Sequence, residues 1–110
     1  MLGARFAIVL AAATLCACGP VQSTSFLMDA ETMLEAARTA QAEKLSPYEW
    51  TAANLYLHKS KEEVGYADFE QAVDYAKKAV DFATRARDGA VKTVRRSERP
   101  GTVPSTARPE

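Results

Sequence analysis

From Phe69 to Ala90 small side chains recur at alternating intervals of three and four: Phe69, Ala72, Ala76, Ala79, Ala83, Ala86 and Ala90. A mean interval of about 3.5 keeps them all on one face of an α-helix and favours left-handed, shallow-angle packing on a neighbouring helix. A strand would need alternation at every second residue, which this stretch lacks. Asp74, Lys77, Lys78, Asp81 and Arg85 all avoid the seam, while Val73 with Val80, and Tyr75 with Phe82, flank it. Methyl groups let another helix approach closely, and the bulkier flanks close over the sides. The alternative is that these alanines serve only as helix formers. The pattern predicts a helix from about Phe69 to Val94, capped by Asp68 with Gln71.

Two earlier segments carry the same period. Ser46-Pro47-Tyr48-Glu49 reads as a capping serine, proline at the first helical position and a glutamate that completes a capping box. The helix it opens is expected to run from Pro47 to about Val64, with Trp50, Ala53, Leu57 and Val64 on one face and Tyr56 and Ser60 beside it. Gly65 is the expected stop. Ahead of it, Ala30, Met33, Leu34, Ala37 and Ala40 predict a helix from Ser25 or Asp29 to about Lys44. Its acidic start (Asp29, Glu31, Glu35) and Lys44 near its end suit the helix dipole. The expected fold class is all-α: an antiparallel helical hairpin or three-helix unit over 29–94, with a long alanine-seamed last helix.

The amino terminus has a different character. Arg5 precedes an uncharged stretch from Phe6 to Cys18 in which apolar and small residues predominate. About 20 apolar residues are needed to span a bilayer, so the run is too short, and its build is that of a signal-peptide core. Leu15-Cys16-Ala17-Cys18 resembles the bacterial lipobox, with Gly19 after it. That resemblance implies cleavage between Ala17 and Cys18, leaving 1–17 as a signal peptide, and acylation of Cys18. Cys16 suits the box less well, because Leu15 would then occupy the cleavage position. Gly19, where aspartate would signal inner-membrane retention, implies the periplasmic face of the outer membrane. Stable anchoring takes more than one acyl chain, and a triacylated cysteine supplies that. A polar spacer over 19–25 is expected to follow, within an anchor-and-linker segment covering 18–28.

Charge sums to zero across the chain but is unevenly placed. Residues 29–81 hold six basic and eleven acidic side chains, whereas 85–110 hold seven basic and three acidic ones. The even balance argues against a nucleic-acid partner of the usual basic kind. Residues 95–110 hold three of the five prolines and are expected to be a disordered basic tail. Arg87, Lys92, Arg95, Arg96, Arg99 and Arg108 either stay solvated or meet an anionic surface: phospholipid headgroups, cell-wall polymer or an acidic protein.

Candidate chemistry is sparse. His58 is the only histidine, and Glu62 and Glu63 are adjacent, so they point about 100° apart on a helix. No catalytic residue, metal ligand set or cofactor motif is assigned. Tyr48, Trp50, Tyr56 and Tyr66 cluster around the second helix, where they either pack the hairpin or form a partner-binding patch.

Three motifs resemble a known family. They are Tyr48-Glu49-Trp50-Thr51-Ala52-Ala53, then Tyr56-Leu57-His58-Lys59, then Gly65-Tyr66-Ala67-Asp68-Phe69 followed by Ala72, Ala76 and Ala79. Together they are similar to the small bacterial lipoproteins catalogued as domain of unknown function 4398, over roughly residues 30–90. Ser60, Ala67 and Phe69 stand where that family usually has Ala, Ser and Tyr. The resemblance implies a helical, somewhat tetratricopeptide-like unit, no enzyme activity, and a place in the cell envelope near peptidoglycan. The expected function is a lipid-anchored, non-enzymatic interaction or assembly module that docks a protein partner or a second copy through its helices. The alternative is a structural spacer between outer membrane and peptidoglycan.

Overall fold

In a computed structural model of the chain, backbone is described for residues 1–15, 18–99 and 101, and side chains for the same residues except 12–15, 18 and 19. The described residues form five helices and no strand: α1 (Leu2–Leu15), α2 (Cys18–Thr39), the single turn α3 (Ala42–Leu45), α4 (Pro47–Gly65) and α5 (Phe69–Ser97). The fold is therefore all-α. Cys16, Ala17, the Cys18 side chain and, in the tail, Pro100 and 102–110 lie outside the described residues.

Helix α5 is the central element. It packs against α4 and α2, which touch each other less. Ala72, Ala76, Ala79, Ala83, Ala86 and Ala90 are all fully buried, and Phe69 is half-buried at the head of the row. The partner helices carry matching columns of small residues. In α2 these are Ser23, Ala30 and Ala37; on α4 they are Ala53 and Ser60, with Ser46 at its head. Each column repeats every seventh residue, so small side chains face small side chains along the bundle. Such contacts bring axes toward about 8 Å, the low end of the helix-packing range. Apart from alanines, only Leu34 and Val73 are buried apolar side chains, so the described core is a thin layer of methyl groups.

Cross-contacts define the directions. Leu34, Ala53 and Ala83 form one cluster, while Ala37, Ala42, Ala86 and Ala90 form another. Gln22 lines the same recess as Phe69, Val73 and Lys77, and Ala40 lies beside Val91 and Val94. Helices α2 and α5 thus run in the same direction, and α4 runs against both. At the α4–α5 contact, the buried Ser60 hydroxyl donates to the Ala72 carbonyl at 2.6 Å. On the surface, Lys61 pairs with Glu31 at 2.7 Å and ties α4 to α2.

Several boundaries differ from expectation. The backbone of α2 is already helical from Cys18, ahead of the expected start at Ser25 or Asp29, so the expected spacer is helical. Ser23, Phe26 and Leu27 extend its buried face, and Pro20 sits in the first turn, where no intrahelical amide is required. That helix ends at Thr39, because Gln41 takes a left-handed backbone with φ 60°. The expected capping box is replaced: the Ser46 hydroxyl donates to the Glu49 carboxylate at 2.9 Å and makes no bond to the helix amides. Helix α4 ends at Gly65 as expected, but the glycine does not take the left-handed position. The left-handed position falls at Ala67 (φ 61°), and Asp68 N–H to Glu63 O with Ala67 N–H to Val64 O makes a Schellman ending. The Asp68 cap forms as expected, with its carboxylate accepting from Gln71 N–H at 3.1 Å. Finally, α5 continues to Ser97, so Arg95, Arg96 and Ser97 are helical rather than part of a disordered tail.

Helix α1 stands apart in character. All its described side chains are exposed, including Leu2, Phe6, Ile8, Val9 and Leu10. Its 14 residues reach about 21 Å, short of a hydrocarbon core about 30 Å thick. No helix among the described residues is long and apolar enough to cross a membrane.

Candidate functional site

The seam is covered within the chain. Its alanines have no exposed surface, because α2 and α4 already lie against them. The expectation that this seam docks a partner helix or second copy is corrected accordingly: the helices it receives belong to the same chain.

The four aromatic candidates do not form one patch. Tyr48 and Tyr66 are 73% and 82% exposed, and they stand at opposite ends of α4, 18 residues apart, or about 27 Å. Trp50 is half-buried against Leu34, Ala37 and the alanines of α5, so it belongs to the packing. Tyr56 joins a ladder instead. Its ring stacks on Phe82 (centroids 5.4 Å, interplanar 15°) and on Tyr75 (6.1 Å, 29°), while Tyr48 meets Phe82 edge-on at 6.4 Å. Lys78 lies 5.4 Å from the Tyr75 ring and 5.6 Å from that of Tyr56, and the Arg85 guanidinium sits 4.1 Å above Phe82. The ladder seals the solvent side of the α4–α5 seam. Its sequence signal is an aromatic followed three residues later by a cation, repeated after one heptad: Tyr75 with Lys78, Phe82 with Arg85.

His58 is exposed on α4, with its Nε2 3.4 Å from Glu62, one turn along. Glu62 also accepts from Lys59 at 2.8 Å. The Lys59 ammonium, by that hydrogen bond and its charge, holds the Glu62 carboxyl below its usual range, and Glu62 in turn raises Lys59. Glu63 is half-buried on a different face, so the two glutamates do not converge. No group of three metal-ligating side chains occurs among the described residues.

At the far end of α5 every side chain from Val91 to Arg99 is exposed. Lys92, Arg95, Arg96 and Arg99 line one common recess. Elsewhere, Arg38, Lys59, Lys61, Arg85 and Arg87 each meet a carboxylate, and Lys77 and Lys78 lie over aromatic rings. Among the described residues none of the four tip cations is paired.

Comparison with protein-family models, with curated proteins and with solved structures finds no match. The likeness to the lipoprotein family described above therefore rests on its sequence motifs alone.

Proposed function

We propose that this chain is a non-enzymatic lipoprotein, held by an acylated Cys18 at the periplasmic face of the outer membrane and serving as an interaction or assembly module of the envelope. The observation that supports the reading is that the backbone is helical from Cys18 into the bundle, with no extended spacer between them. A lipid on the first residue of a bundle helix would be joined to the bundle by helix rather than by slack chain. The module would then stand on the bilayer with a defined lower and upper end. The α4–α5 turn lies beside the start of α2 and would face the lipid, while the end of α5 would point away. The exposed, short, apolar α1 fits the removable signal that such processing requires.

Replacing Cys18 by Ser tests the anchor. Membrane association and palmitate labelling are both expected to disappear, while the helical content of the bundle stays. An intact mass corresponding to an unmodified chain starting at Met1 would overturn the reading. Recovery of nothing but monomer from cross-linked, detergent-solubilised envelopes would remove the assembly role and leave only the anchor.

A second reading, a spacer reaching from the outer membrane toward peptidoglycan, is favoured by the length of α5. Its 29 residues measure about 43 Å. Co-sedimentation with purified sacculi separates the two, because only the spacer requires it.

A further inference from the structure

We propose that the free end of α5 is a docking strip for a linear, carboxylate-bearing polymer, held by Lys92, Arg95, Arg96 and Arg99. The inference rests on the anchored reading above for its orientation, and on the geometry of α5 for its chemistry.

Lys92, Arg95 and Arg96 stand at i, i+3 and i+4, within about 100° of arc on α5, and Arg99, just past the helix end at Ser97, lines the same recess. That arc is opposite the alanine seam, so the strip faces away from α2 and α4. Along the same outer face, closer to the turn, Asp74, Lys77, Lys78, Asp81, Arg85 and Asp88 mix three carboxylates with three cations. Beyond Asp88 the face is cationic only. Among the described residues Glu98 is the carboxylate beside the strip; it shares a recess with Arg95, Val91, Val94, Thr39 and Gln41 but forms no ion pair. Ala90 is the last buried residue among those described, so the strip lies beyond the packed part of α5. Basic side chains near a helix C-terminus also favour the dipole, but that effect fades within the last turn and does not require all four on one side.

Several unpaired cations in a row on a rigid helix suit an anion that is itself extended, since each added ion pair releases counterions and the contributions accumulate. Guanidinium groups grip carboxylates with paired hydrogen bonds. The anchoring leaflet is not the occupant: Lys92 lies 23 residues beyond Phe69, or about 35 Å up the helix from the turn that faces it. A second copy is not the occupant either, because neighbours anchored in one leaflet stand parallel and would bring strip against strip.

The test uses the full acylated protein in neutral-detergent micelles with fluorescent poly-L-glutamate as probe, read by anisotropy. Binding at 50 mM salt that weakens roughly tenfold or more by 300 mM is expected for about four ion pairs. The variant K92Q/R95Q/R96Q/R99Q should lose at least tenfold in affinity with an unchanged melting temperature. The control variant K59Q/K61Q should stay within about twofold of the parent. Three results would overturn the proposal: no binding at 50 mM salt, equal binding by the four-glutamine variant, or tighter binding to phosphatidylglycerol vesicles or polyphosphate than to polyglutamate. Intact mass of the same sample reports acylation separately, so absent binding by an acylated protein sinks this inference and leaves the anchor standing.

Discussion

Ala67 sits in a left-handed backbone conformation (φ 61°) at the end of α4, where a Cβ crowds the following carbonyl. Glycine has no such penalty, so Ala67→Gly is expected to stabilise the protein by about 1 kcal/mol, seen as a higher urea midpoint at constant m-value. A lower midpoint would mean that the Schellman ending is not formed. Gly89 shows the opposite logic. An added Cβ there would lie 2.7 Å from the Ser46 hydroxyl, which is itself held by Glu49. On an open helix surface Gly→Ala gains about 1 kcal/mol, so the sign of the effect is diagnostic. Gly89→Ala is expected to destabilise by about 1 kcal/mol, and the same change made in Ser46→Ala is expected to stabilise. Equal effects in both backgrounds would show that the two residues do not touch. Neither position stood out in the sequence. Gly65 carried the expected stop and α4 does end there, yet the left-handed residue of that ending lies two positions on, at Ala67.

At the scale of the helices, close approach is the organising constraint. The columns Ser23–Ala30–Ala37, Ser46–Ala53–Ser60 and Ala76–Ala83–Ala90 all lie buried at intervals of seven. Ala83 contacts Leu34 and Ala53 at the middle of the bundle. Enlarging it therefore pushes two helices apart at once. Ala83→Leu is expected to cost about 1–3 kcal/mol, although leucine is also a good helix former and has greater apolar area. Thermal unfolding followed by circular dichroism checks this, and an unchanged or higher midpoint would contradict the close packing. The α5 column was readable because alanine repeats without interruption. The columns of α2 and α4 were half hidden, because serine at 23, 46 and 60 reads as polar until a neighbouring helix covers it. Ser23, with its polar neighbours, is also why 19–25 looked like a spacer.

For the whole molecule, polarity is the property that matters to function. Parallel α2 and α5 put the turn at Tyr66 and the end of α5 at opposite ends of the bundle, and in the proposed anchored orientation the turn would lie near the bilayer and the end of α5 away from it. In acylated protein reconstituted into vesicles, a nitroxide at position 66 (Y66C) is expected to collide with a nickel-chelating headgroup lipid. The same probe at position 97 (S97C), 28 residues along α5, or about 42 Å, is expected to show none. Equal relaxation at both positions would mean that the bundle lies flat. This arrangement also separates the two charge regions noted in the sequence: among the described residues the ion pairs lie on the mixed surface of the bundle, and Lys92, Arg95, Arg96 and Arg99 lie unpaired at the end of α5.

Helical class, the length and register of the last helix, and the Asp68 cap could be read from spacing alone, because a 3.5-residue period and a side-chain cap are local properties. The lipobox likeness is local as well. What needed the packed chain was the fate of those faces. Burial of the alanine seam by α2 and α4, the parting of Tyr48 from Tyr66, and the grouping of Tyr56 with Tyr75 and Phe82 all depend on which helices meet and in which direction. Those choices arise from contacts between residues far apart in sequence, where a small side chain gains its value only from the small side chain opposite it.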